Sequence, residues 1–211
     1  MFIIDFDDTL FDTYLWKQER FKPLAELGIT PEFAQITYRE IRNTPGVVYS
    51  NARHAELLGS YGFPKEDVFK ALEANSTEST LKRFVFPDSI SFLEDLKKTG
   101  QKVIILSIGD PSFQRIKLAG TGLLPYFDEI YFVDRHKEKN MVPLLQLCGA
   151  DEVIWFINDK VEETESVVQV CPQIKAVLKV CEEFPLEEYT ASGFPYFNTL
   201  TEIAEYVERN T

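Results

Sequence analysis

Five short apolar runs limit what this chain can fold into: Phe2-Ile3-Ile4, Val103-Ile104-Ile105-Leu106, Ile130-Tyr131-Phe132-Val133, Val153-Ile154-Trp155-Phe156-Ile157 and Ala176-Val177-Leu178. They are rich in β-branched and aromatic residues and do not alternate with polar ones. That is the pattern of strands buried on both faces, as in a parallel sheet. Helical periodicity lies between the later runs. Met141, Leu144, Leu145 and Cys148 form one apolar stripe, and Phe92, Leu93 and Leu96 mark a helix stopping near Gly100. Leu200, Ile203, Ala204 and Val207 form another stripe, opened by the capping pair Thr199 and Glu202. Strand alternating with helix predicts an α/β fold, a doubly wound parallel sheet with a Rossmann-like core.

The rhythm breaks once. Roughly eighty residues separate the first run from the second, far beyond an ordinary loop. Helical patterns fill the gap, around Trp16–Leu27, Pro31–Arg42, Ala52–Tyr61 and Lys65–Ala74. The expected organisation is a core of residues 1-12 and 87-211 with an inserted α-helical subdomain at 13-86. Ligands of open parallel sheets bind beyond the carboxyl ends of the strands. The insertion leaves from such an end, so it is expected to cap the site. Trp16, Phe33 and Ile36 read as cap core; Lys17, Arg20, Arg39, Arg42, Tyr49 and Arg53 are candidates to contact a substrate's leaving group.

Polar residues cluster where the strands should end. The first run leads into Asp5-Phe6-Asp7-Asp8-Thr9-Leu10, the second into Ser107, the third into Asp134 and the basic run Arg135–Lys139, and the fourth into Asn158-Asp159, with Glu162 and Glu163 beyond. Phosphoryl transfer needs this kind of set. A carboxylate nucleophile is repelled by phosphate oxygens, and a divalent cation between them removes the repulsion. Magnesium takes oxygen ligands, which Asp5 and Asp159 can supply. A lysine and a serine can hold the remaining phosphate oxygens. Asp7, two residues past the nucleophile, is placed to protonate the leaving oxygen and then activate water.

Asp5-x-Asp7-x-Thr9-Leu10 after an N-terminal strand resembles the first motif of the haloacid dehalogenase-like superfamily. Ser107 resembles its second motif, and Asp159 with Glu163 its fourth; the likeness runs from Phe2 to about Val180. The helical insertion resembles the subgroup with a small α-helical cap. The resemblance implies Asp5 as nucleophile and metal ligand. It implies Asp7 as general acid and base, with its backbone carbonyl on the metal. Thr9 would support the loop, Ser107 would bind phosphate, and Asp159 would ligate Mg2+ with Glu163 assisting. Three positions depart from the family pattern. Asn158 stands where Gly is usual, and Glu163 where a second Asp is usual. Neither Lys137 nor Lys139 is followed by the usual Pro. Lys137, closer to the strand end, is favoured as the catalytic lysine, with Lys139 as the alternative phosphate contact.

The function implied is a magnesium-dependent phosphatase acting on a small phosphorylated metabolite through an aspartyl-phosphate. Alternatives on the same motifs are a sugar-phosphate mutase, a dehalogenase, and a module that accepts a phosphoryl group without turnover. The net charge of −12 leaves no basic footprint for nucleic acid. No apolar run approaches the ~20 residues of a membrane span, and the first residues lack the pattern of a signal peptide, so a cytoplasmic location is expected. The odd set of three cysteines, Cys148, Cys171 and Cys181, contains no Cys-x-x-Cys and points to neither disulfides nor zinc; they read as buried, inert thiols. His54 and His136 lie too far apart to suggest a triad.

Overall fold

Six strands form one parallel sheet in the computed structural model, which describes residues 1–47, 49–146, 149 and 152–211. The strands are β1 (Phe2–Ile4), β2 (Val103–Ile108), β3 (Glu129–Val133), β4 (Trp155–Asn158), β5 (Lys175–Lys179) and β6 (Tyr196–Phe197), in the order β3-β2-β1-β4-β5-β6. The helices are α1 (Thr13–Arg20), α2 (Pro31–Asn43), α3 (Asn51–Ser60), α4 (Lys65–Ala74), α5 (Glu78–Leu81), α6 (Ser89–Lys98), α7 (Pro111–Thr121), α8 (Lys137–Leu145), α9 (Val161–Val170), α10 (Leu186–Ser192) and α11 (Leu200–Asn210). The capping pair at α11 forms as expected, with Thr199 accepting from the Glu202 amide and Glu202 from the Thr199 amide. Cys148, the last residue of the stripe that predicts α8, lies outside the described residues.

β1 is central because β2 and β4 flank it, with Ile4 opposite Ile105 on one side and Ile157 on the other. All three of its residues are fully buried. On one face Met1, Ile3, Ile104, Leu106 and Phe156 pack with Met141 and Leu144 of α8 and Val167 of α9. Burying each such side chain contributes roughly 1.5–3 kcal/mol. One expectation needs correction. The third run does not lie buried on both faces: β3 is an edge strand and only half-buried along its length. The two-residue β6 is too short to leave a periodic signal.

The described chain divides into two compact units. One is Met1–Asp12, Val85–Gly109 and Leu123–Thr211; the other is Thr13–Phe84 with Asp110–Gly122. The second is helical, and its core gathers Phe21, Leu24, Ile29, Ala34, Ala55, Leu58, Val68 and Leu72. It includes α7, which follows β2 in sequence. Gly120 of α7 packs against Leu81 of α5: a Cβ there would meet Leu81 Cδ1 at 2.5 Å, so a larger residue would require the Leu81 side chain to shift. Trp16 is buried as read, whereas Ile36, read as core, is 59% exposed.

Candidate active site

The site is built at the carboxyl edge of β2, β1 and β4. Parallel pairing brings Asp5 one residue beyond β1 and Asp159 one residue beyond β4, with the Asp5 amide donating to the Ile157 carbonyl at 2.9 Å. After Asp5 the chain turns back on itself. The amides of Leu10 and Phe11 both donate to the Phe6 carbonyl, and the Asp8 amide donates to the Phe11 carbonyl. Asp8 takes a left-handed conformation, φ 57°, which aspartate tolerates better than most residues. Phe6, Asp8, Thr9 and Leu10 are buried and Asp7 half-buried.

Lys137, the first residue of α8, reaches into this edge. Its Nζ is 2.7 Å from Asp5 Oδ1, 2.8 Å from Asn158 Oδ1 and 2.8 Å from Glu163 Oε2. The side chain is 2% exposed. Burial works against the ammonium, but the carboxylates of Asp5, Glu163 and Asp159 outweigh it and hold its pKa above the ordinary lysine value. Lys139, two residues on, is exposed. Asn158, where the family pattern has Gly, does more than fill space. Its Oδ1 accepts from Lys137 while its Nδ2 donates to the Lys160 carbonyl and the Thr164 hydroxyl. Glu163 is bracketed by two ammonium groups, Lys137 and Lys160, the latter at 3.3 Å. Burial pushes the Glu163 carboxyl up, yet the two lysines prevail and hold it below its usual range.

Asp5 and Asp159 stand in the opposite condition. Burial pushes the Asp5 carboxyl up; Lys137 opposes this, and the charges of Glu163 and Asp7 add to it. Asp159 is pushed well above the carboxylate range by burial and then by the Asp5 charge, against Lys160 and Lys137. Both Asp159 oxygens are buried and meet no hydrogen-bond partner among the described residues. The same holds for Thr9 Oγ1 and Ser107 Oγ, on residues 0% and 1% exposed. Buried polar groups are normally bonded, so such orphans point to a ligand or water. An unpartnered carboxylate beside a second carboxylate fits a divalent cation with oxygen ligands.

Sequence reasoning did not single out Lys160 or Cys181. Lys160 had no motif to mark it. Cys181, in the loop after β5, brings its Sγ to within 4.8 Å of carboxylate oxygens of Asp8 and Asp159. Of the lysine and arginine candidates in the insertion, Arg20 is fully buried and held inside the helical unit, donating to Tyr49 Oη at 2.7 Å and Asn51 Oδ1 at 2.5 Å.

Residues 1–144 match the family of haloacid dehalogenase-like hydrolases, and the chain belongs to that family. Among curated proteins it is similar to the GMP/IMP nucleotidase YrfG of Escherichia coli K12, with 29% identity over 133 residues, 60% of this chain and 56% of that protein. The match to the Shigella flexneri nucleotidase is the same. The match thus spans little more than half the length of these relatives. A solved structure described as a haloacid dehalogenase-like hydrolase from Burkholderia xenovorans superposes with a TM-score of 0.75 at 18% identity, covering 97% of this chain and 94% of that one. The L-2-haloacid dehalogenase of Xanthobacter autotrophicus gives 0.64 at 15% identity, covering 98% and 97%. At such identity these two speak for the shared fold. No described helix is long and apolar enough to cross a membrane.

Proposed function

We propose that this hydrolase is a magnesium-dependent phosphatase that cleaves a small phosphomonoester through an aspartyl-phosphate on Asp5. The observation that carries the reading is the set of orphaned polar groups at the strand edge: Thr9 Oγ1, Ser107 Oγ and both Asp159 oxygens. Two buried hydroxyls suit the oxygens of a phosphoryl group, and the carboxylate suits a cation. In this reading the helical unit takes the role of the cap.

Asp5 is the nucleophile. Lys137 holds Oδ1, which leaves the other oxygen for attack on phosphorus while the ammonium offers its charge to the incoming phosphate. Asn158 and Glu163 keep that ammonium aimed. Asp7 lies close enough to Asp5 for their charges to interact; in its protonated form it delivers its proton to the leaving oxygen, and the carboxylate so formed then takes one from the hydrolytic water. Mg2+ would be held by Asp5, Asp159 and the Asp7 carbonyl; when bound, it supplies the charge that keeps Asp5 and Asp159 ionised and offsets repulsion of the phosphate. Glu163, paired with two lysines, acts through Lys137 rather than on the cation.

The orphaned Asp159 also speaks against a dehalogenase reading, because halide displacement requires neither a cation nor a proton donor. Similarity to a GMP/IMP nucleotidase makes purine nucleoside monophosphates the first substrates to try. The test is phosphate release across a panel of phosphorylated metabolites, with magnesium and with excess chelator. Activity should vanish on chelation and return with magnesium. Full activity in chelator contradicts the reading.

A further inference from the structure

Beside the proposed magnesium position lies a second set of donors of different chemistry. Three neighbouring strand ends supply it: Asp8 from the turn after β1, Asp159 from the end of β4, and Cys181 from two residues past β5. Two carboxylate oxygens and the thiol sulfur all lie within 4.8 Å of one another, and the residues are 4%, 1% and 5% exposed. The second, independent sign is Asp159 itself, whose two oxygens are buried without a hydrogen-bond partner among the described residues. The loop carrying Cys181 is pinned, since its amide donates to Tyr189 Oη at 3.0 Å. The sulfur accepts one weak bond, from the Glu183 amide at 3.3 Å, which leaves its remaining lone pairs for a metal.

We propose that Asp8, Asp159 and Cys181 form a binding site for a thiophilic divalent cation of the zinc type. A mixed O,O,S donor set suits zinc or cobalt and is poor for magnesium, which favours oxygen donors alone. Binding forms a sulfur–metal bond and releases the thiol proton to water. Three ammonium groups oppose a cation here: Lys160 and Lys137, which act on Asp159, and Lys179, which acts on Asp8 and Cys181; the first two are paired with Glu163, and Lys179 has contacts of its own. It is turned away onto the Val180 carbonyl at 3.3 Å and over the Phe86 ring at 3.8 Å. One consequence rests on the phosphatase reading: because the two sites share Asp159, zinc should inhibit in competition with magnesium. The binding site itself does not depend on that reading.

The test uses cobalt as a spectroscopic stand-in and requires no turnover. Adding Co2+ to the full chain should produce a near-ultraviolet thiolate-to-cobalt band that Cys181→Ser abolishes and Cys171→Ala retains. Asp8→Asn, which keeps the thiol, should weaken cobalt binding at least tenfold, and it serves if Cys181→Ser does not fold. A saturated cobalt complex without the band, or a band that survives Cys181→Ser, overturns the site. Zinc inhibition of an active wild type should likewise weaken at least tenfold in Cys181→Ser; equal inhibition of both proteins overturns the claim that zinc inhibits through this site.

Discussion

At the strand edge Thr9, Ser107 and Asp159 are buried with oxygens that meet no partner among the described residues. In the helical unit Arg20, Thr37, Asn51 and His54 are just as buried, but they bond to one another. Arg20 donates to Tyr49 and Asn51, Asn51 Nδ2 donates to Glu73 Oε1 at 2.6 Å, and His54 lies 2.8 Å from Thr37 Oγ1 and 3.1 Å from Tyr49 Oη. The Arg20 Nε and Nη1 find no acceptor among the described residues, yet the rings of Trp16, Tyr49, Phe21 and Phe113 surround its guanidinium carbon at 4.4, 5.0, 5.2 and 5.6 Å. Cation–π attraction contributes there, up to about 2 kcal/mol or more when desolvated. Burial of polar groups therefore has two meanings in this molecule. Arg20, Thr37, Asn51 and His54 bond within the helical unit and hold its fold, whereas Thr9, Ser107 and Asp159 at the strand edge are left open to a ligand.

Substitutions should separate the two. The largest effect is expected at Lys137. Lys137→Ala should lower kcat/KM by about a thousandfold, since it removes the ammonium held 2.7 Å from Asp5 Oδ1, while Lys139→Ala should stay within about twofold. Steady-state kinetics of the pair decide it, and the reverse ranking would give the role to Lys139.

The helical unit should respond to acid. Burial, helped by the Arg20 charge, lowers the His54 pKa from 6.5 to about 4. Between these values the unfolded chain binds the extra proton, so stability rises with pH across that window. It should be unaffected above about pH 6.5 and fall by roughly 3 kcal/mol as pH drops to about 4. Urea unfolding of wild type and His54→Gln between these pH values checks this: the substitution should flatten the dependence, and an unchanged slope counts against it.

Ser107→Ala should lower kcat/KM by about tenfold to a hundredfold and leave the unfolding midpoint unchanged or slightly raised, because it removes a buried hydroxyl without a partner among the described residues. A loss of stability would mean the hydroxyl supports the fold. Asn51→Ala should do the reverse. It removes an acceptor from a buried guanidinium and should cost about 1–2 kcal/mol in denaturant unfolding. Unaltered stability would break the contrast.

The same contrast explains what could be read from the sequence. The parallel sheet was legible because β1, β2, β4 and β5 are continuous apolar runs. The strand-end groups Asp5, Ser107 and Asp159 follow directly from those runs. The half-buried edge strand β3 and the short β6 were not legible, since neighbours in space determine them. Nor was the grouping of α7 with the helical insertion, where Gly120 packs against Leu81 of α5. Asn158 and Glu163 were marked only as departures from a pattern; contact with Lys137 gives them a physical role. The approach of Cys181 to Asp8 and Asp159 was not legible either, because those carboxylates follow strands distant in sequence.

The central claim is that Asp5 carries the phosphoryl group and that Asp7 works in both halves of the cycle. An aryl phosphate has a leaving group good enough to depart with little acid help, whereas hydrolysis of the aspartyl-phosphate still needs a base. Asp7→Asn mixed with an aryl phosphate, quenched and examined by intact-mass spectrometry, should accumulate a species about 80 Da heavier, with the added group mapped to Asp5. Turnover at the wild-type rate with no such adduct, or an adduct on any other residue, would contradict the account.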